Sequence, residues 1–323
     1  METFAEDLSL ALEPVYRASK DIAKAIRSGG GGITEGEARF LVDMHENVQR
    51  QRIRCSNAVK QLGRDAETSG VDEEPHDALD YIRKQHEIIE KQIATLVGAV
   101  FEVHEMAWFF QQTPGIGPGL AMKLLAELDI NRAPTAGHFW SFAGLNPAQS
   151  WGKGQKRPFN ARLKKTLFLC SDQWIKMKAN PDSHYSRWLF ERRDIEWQKN
   201  LEGGNVDYCR KALDRKQYGD STDAKAWLEG KCSPGLASDM LAEGDTPTAA
   251  KCRVSEGGLP MIPPAQVVMR ARRWTSKLFL AHLHHCWYEQ AFGVEPPKPY
   301  VIEHGGHAHT IVPFQVRNKG VIH

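Results

Sequence analysis

Two stretches of this sequence carry residue types whose spacing suits chemistry on a phosphate backbone. The first, Thr113-Pro114-Gly115-Ile116-Gly117-Pro118-Gly119-Leu120-Ala121, runs into Met122-Lys123-Leu124-Leu125-Ala126-Glu127-Leu128. Gly115 and Gly117 permit a tight turn with positive φ and leave no side chain in the way. The helix that follows turns its free amides toward whatever approaches. A helix-hairpin-helix of this kind holds one phosphate without reading sequence, through Gly115, Gly117, Gly119 and Lys123. The same residues would also make a plain Pro-Gly turn between two helices. The second stretch starts at Ser150 and reads Trp151-Gly152-Lys153-Gly154-Gln155-Lys156-Arg157-Pro158-Phe159-Asn160-Ala161-Arg162-Leu163-Lys164-Lys165. Six cations (Lys153, Lys156, Arg157, Arg162, Lys164, Lys165) and no acidic residue lie between Ser150 and Leu169. Trp151 and Phe159 offer stacking faces among them, a mixture that suits a nucleic-acid backbone as well as a solvated basic face.

Three smaller clusters complete the candidates. Arg270, Arg272, Arg273 and Lys277 form a cationic turn that could meet a second backbone segment of DNA or RNA, or simply solvent. Histidines gather at His282, His284 and His285 beside Cys286, and again at His304, His307 and His309. Zinc needs three or four converging ligands, and without a cysteine pair the expectation is no metal site. The acidic residues Asp72, Glu73, Glu74, Asp77, Asp80, Glu87 and Glu90 read as solvated surface.

Composition sets the frame. The 323 residues hold 42 basic and 40 acidic side chains, a formal net charge of +2, which excludes a basic coat and requires any nucleic-acid surface to be local. A chain with 41% hydrophobic and 25% charged residues is an ordinary globular one, long enough for two domains. No run approaches the ~18 apolar residues of a membrane span. The start, METFAEDLSLALEP, lacks the layout of a secretion signal. Six scattered cysteines without a CxxC pair fit a reducing cytoplasm. All nine tryptophans lie from Trp108 onward, so the two halves of the chain are different objects.

The elements that must position these residues read as helices throughout. One covers roughly Thr3 to Arg27 and stops at Gly29-Gly30-Gly31-Gly32. A capping box, Thr34 with Glu37, opens the next. Its stripe Leu41, Val48, Cys55, Leu62 repeats every seven residues, as do Ile82, Ile89 and Leu96 after a loop at Ser69 to Pro75. No β-branched strand pattern precedes residue 112. A compact helical block then runs from Thr113 to Lys178, with Thr135 as a cap and Gly144 as a stop. A polar insertion covers 180–260, with helix-like pieces at Ser183 to Lys199 and Asp220 to Glu229. A long helix spans roughly Pro264 to Phe292 before a His-rich tail. The fold class is therefore all-α. A helical hairpin or coiled coil (1–112) precedes a helix-hairpin-helix domain (113–323) with a core at 113–178.

Four blocks, TPGIGP…LLAEL, FAGLNP, GKGQKR and NARLKK, resemble in order and spacing the C-terminal domain of the insertion-sequence family 110 transposases, with 116 and 902. That family includes Piv-type DNA invertases and bridge-RNA-guided recombinases. The helix Asp77 to Glu105 is similar to the coiled coil that precedes the family domain. The block from Ala271-Arg272-Arg273-Trp274 to His304 resembles the tail of a diverged branch. The resemblance implies transposition or site-specific recombination, with DNA and a structured guide RNA as candidate partners. It also implies strand exchange by a serine, whose matching position is Ser150, with magnesium supplied by an acidic N-terminal nuclease domain. This sequence has no such domain, its loop after Ser150 is shorter, and Trp151 replaces a small polar residue. A catalytically silent DNA- or RNA-binding relative is the alternative. The N-terminal helices imply a homo-oligomer.

Overall fold

The computed structural model describes residues 17–29, 32–69, 77–208, 261–262, 264–297 and 311–315. The expected helix at Asp220 to Glu229 and the histidines His304, His307 and His309 lie outside the described residues. All the described secondary structure is helical.

Helix α1 (17–27) buries Ala23 and Ile26 and ends at Gly29, whose φ of 74° reverses the chain. Helix α2 (Glu35–Ser69) opens on the expected capping box: Thr34 N donates to Glu37 Oε2 at 2.8 Å, and Glu37 N to Thr34 Oγ1 at 3.3 Å. Helix α3 (Asp77–Val103) runs back along it. Glu90, expected to be solvated, instead holds the two helices together. It accepts from Gln49 Nε2 at 3.0 Å and is paired with Arg52. At the base, Arg27 of α1 grips Glu102 with two bonds of 2.5 and 3.0 Å.

Burial along the hairpin is uneven. Val42 of α2 and Val97, Ala99, Val100 and Phe101 of α3 enter the main core, whereas the described residues of α2 beyond Val42 and of α3 before Val97 include no buried side chain. Two amphipathic helices packed only on each other can cover one stripe apiece, so the outer hairpin stands as an arm with half-wet apolar residues. The main core does not break at residue 112, since α3 and the hairpin region share one apolar cluster.

The body is built from α4 (Ala107–Gln111), α5 (Pro118–Leu125), a 3-10 turn (Ile130–Arg132), α6 (Ala136–Phe142), α7 (Ala161–Lys176) and α8 (His184–Leu201). All of it closes on α9 (Pro264–Phe292). Phe279 of α9 lies 5.3 Å from both Trp174 of α7 and Tyr185 of α8, ring centre to ring centre. Trp287 Nε1 donates to Glu105 at 2.6 Å, and His284 Nε2 meets Ala133 O at 2.7 Å. A helix that begins more than eighty positions after Lys178 thus completes the core that 113–178 begins.

Residues 311–315 dock on the same core. His282 Nε2 meets Ile311 O at 2.8 Å, and its Nδ1 meets the Tyr185 hydroxyl at 2.9 Å. Gln315 Nε2 donates to Tyr185 at 3.2 Å and to Thr113 at 3.1 Å, which ties the tail to the first residue of the glycine hairpin.

Candidate nucleic-acid interface

The glycine hairpin forms as its residues demand. Ile116 N donates to Thr113 O at 3.2 Å, Gly115 has φ 90°, and Ile116 is buried. Pro118 begins α5, where a missing amide costs nothing. Gly115 is there for packing as well as for φ. A β-carbon on it would stand 3.3 Å from Gln173 Cβ and Met177 Cγ, at the C-terminal end of α7. Gly117 and Gly119 face open space.

The basic loop occupies the other end of α7. Residues 151–158 are exposed. Gly152, Lys153, Gly154 and Gln155 make a tight turn, closed by Gln155 N on Gly152 O at 3.2 Å, with Gly154 at φ 85°. Phe159 anchors the loop. It lies edge-on to Trp151 at 5.2 Å and packs so tightly on Gly144 that a β-carbon there would come within 2.6 Å of the ring. Asn160 then caps α7, accepting from Arg162 N at 2.9 Å and Leu163 N at 3.1 Å. From Asn160 to Gln173 is about 20 Å of helix. The hairpin and the basic loop, both expected to suit a phosphate backbone, are thus two separate surfaces.

Four expected phosphate contacts have carboxylate partners instead. Lys123 is buried, 3.4 Å from Glu46. Arg162 pairs with Asp43, lies 3.1 Å from Glu46 and 3.4 Å from Glu127, and these carboxylates raise its pKa against the effect of burial. Glu127 also accepts from Asn160 Nδ2 at 2.5 Å. In the neighbouring hollow of about 350 Å³, Arg39 and Arg132 join Glu35, Asp43 and Glu127. Arg272 is buried against Asp172 at 2.8 Å with Phe168 4.1 Å beneath it. Arg270 donates to Asn205 at 2.5 Å and lies 3.5 Å from Glu196. Cations buried like Lys123 and Arg272, or partly withdrawn from water like Arg162 and Arg270, need such partners, so the fold recruits these four as internal ties.

The remaining cations point outward. Lys153, Lys156, Arg157, Lys165 and Arg273 are exposed. Lys164 lies 4.5 Å over the Phe159 ring, and burial together with Arg273 and Arg157 lowers its pKa. Lys277 is likewise lowered, by burial and then by Arg273. Lys164 therefore feels Arg273 and Arg157, and Lys277 feels Arg273, although these residues come from a loop, α7 and α9. Lys277, already part of the cationic turn singled out in the sequence, stands four residues from Arg273 on one helix face.

Ser150 is exposed at the entrance of the basic loop. The Thr135 hydroxyl, expected to cap α6, meets His138 Nδ1 at 3.0 Å and bonds no backbone amide of that helix. Burial pushes the thiols of Cys170 and Cys286 up to about 12, which leaves both un-ionised at neutral pH. Among the described residues no group of three or more His, Cys, Asp or Glu could hold a metal ion. Nor, among them, is any helix long and apolar enough to cross a membrane.

No curated protein and no solved structure matches this chain. The segment from Trp108 to Ser186, which holds the glycine hairpin, the basic loop and α7, matches the model of the transposase IS116/IS110/IS902 family, the family that the sequence motifs resemble.

Proposed function

We propose that this chain works in DNA transposition or site-specific recombination by gripping a DNA backbone along the loop end of α7. The observation that carries this reading is the line Arg157, Lys164, Arg273, Lys277. These are four cations from three elements, bonded to no carboxylate among the described residues; burial first, and then Arg273 and Arg157 for Lys164 and Arg273 for Lys277, lower the two lysine pKa values. Uncompensated like charges held together cost stability, and a polyanion relieves that cost. Lys153, Lys156 and Lys165 extend the line, and Trp151 adds a stacking face. The amides beside Gly117 and Gly119 offer a second phosphate contact about 20 Å away, some six base steps along a strand. The family match over 108–186 supports DNA as the partner. A guide RNA would be held by the same chemistry.

Strand exchange by Ser150 is the finer reading. It needs a base and magnesium-binding carboxylates brought to the exposed hydroxyl by another chain or segment. Self-association supports that need. Ile82 and Ile89 of α3 repeat at the heptad spacing yet stay 43% and 42% exposed, an apolar stripe that a second copy of the arm would cover.

The test is duplex binding followed across a salt series. Lys156→Glu with Arg157→Glu lowers affinity at least about tenfold and reduces the salt slope by about two. Unchanged binding by that double variant overturns the proposal. For the finer reading, a Ser150→Ala variant that still joins strands removes the serine from the chemistry.

A further inference from the structure

The line of cations ends at a cavity. Beyond Lys277 lies a cleft of about 560 Å³ between the first turns of α6, the Asn146-Pro147 turn and α9. That is within the ~300–1,000 Å³ of small-ligand sites. Its lining is part apolar, from Trp140 and Pro147, and part polar, from His138, Ser141 and Asn146.

These groups are pre-set. Trp140 Nε1 donates to Lys277 O at 2.8 Å, which fixes the indole, and the Lys277 ammonium sits 5.9 Å over the same ring. Asn146 is held on both sides: its Oδ1 accepts from Ala148 N at 3.0 Å, and its Nδ2 donates to Ser141 Oγ at 3.1 Å. The Ser141 hydroxyl keeps its own proton free to donate. His138 spends Nδ1 on Thr135 and keeps Nε2. Lys277 is a half-buried cation with no bonded carboxylate among the described residues, at the mouth of a cleft with hydrogen-bonding groups inside. Such a cleft suits a ligand with an anionic end and a flat, hydrogen-bonding body.

We infer that this cleft takes a single nucleotide displaced from a DNA strand, its phosphate on Lys277 and its base between Trp140 and Pro147, with its edge toward Ser141, Asn146 and His138. The inference rests on the DNA-binding reading, because the cations Arg157, Lys164 and Arg273 are what lead a strand to this mouth. An unpaired nucleotide costs least to displace, so a strand end or overhang is the preferred occupant. The hairpin amides give no such preference, since they meet only backbone, and the stacking face of Trp151 lies outside the cleft, so it is untouched by changes to the cleft lining.

The experiment compares a blunt duplex with one carrying a short single-stranded overhang that contains 2-aminopurine. The wild-type protein binds the overhang duplex about fivefold tighter, a difference that one base stacked on an aromatic can supply. The 2-aminopurine fluorescence changes on binding. Ser141→Leu, which fills the cleft, and Lys277→Met, which removes its cation, each cut the advantage below about twofold. Lys156→Glu weakens both duplexes alike. Equal wild-type affinity for the two duplexes overturns the cleft assignment, as does an advantage that survives in both variants, while the DNA-binding reading stands. Wild-type protein that binds neither duplex overturns both.

Discussion

Similar cations line the two flanks of α7 in opposite circumstances. On the flank facing α2, Lys123 and Arg162 are locked to Glu46, Asp43 and Glu127. On the flank facing α9, Lys164 and Lys277 each lie near Arg273. The carboxylates of α2 do for the first flank what a phosphate would do, and the second flank is left with an open field. A basic residue in a sequence is therefore not yet a binding residue. Whether its charge is free depends on which helix packs beside it.

Four experiments break or sharpen this contrast, taken from the largest effect to the smallest. Arg162→Ala leaves Asp43, Glu46 and Glu127 crowded without their shared cation. It should cost about 3 kcal/mol of unfolding free energy by denaturant titration, with the DNA salt slope unchanged. A slope that falls by one instead would place Arg162 in the binding path.

The buried face of α9 gives a pH test. Burial drives the His282 pKa from 6.5 to about 4, so the folded state holds the neutral ring while the unfolded chain takes up a proton as pH drops below 6.5. Stability is complete above that value and is lost progressively toward pH 4, by about 2 kcal/mol between pH 7.5 and 5. His284 is lowered by burial too and acts in the same direction. His282→Gln, which can still accept from Tyr185 and donate to Ile311, should flatten much of the thermal-melting profile over that interval. A profile as steep as wild type would assign the loss elsewhere.

Gly144→Ala meets Phe159 and must adopt φ 65°, so about 1–2 kcal/mol of stability should go. Because Phe159 anchors the basic loop, duplex affinity should fall with it. Retained affinity would show that the loop finds its DNA-bound shape without that anchor. The smallest effect is the most diagnostic: Lys164→Met should lower the salt slope by about one and leave melting within about 0.5 kcal/mol of wild type. Lys123→Met should do the reverse, moving stability and not the slope.

Much of the local structure was legible. The capping box at Thr34 and Glu37, the hairpin around Ile116, the stop at Gly144 and the extent of α9 all follow from backbone rules that act within a few residues. Thr135 shows where such rules weaken, because its hydroxyl found the His138 ring in place of an amide. Glu90 shows the same at longer range. On α3 alone it is a surface carboxylate, and only the register of α2 brings Gln49 and Arg52 to it.

By itself the sequence determined that the chain is helical, that a tight glycine turn opens a helix within Thr113 to Ala121, and that positive charge is concentrated after Ser150. These are short-range properties of residue type and period. Only the tertiary structure decided that the hairpin and the loop sit at opposite ends of one helix, and that Lys123, Arg162, Arg270 and Arg272 are internal ties. It also brought Arg273 and Lys277 to join Arg157 and Lys164 beside a cleft. The physical reason is that charge acts through space. A cation's role is set by what lies within a few ångströms of it, and those neighbours come from helices more than a hundred residues apart in the chain, as Arg162 and Asp43 do.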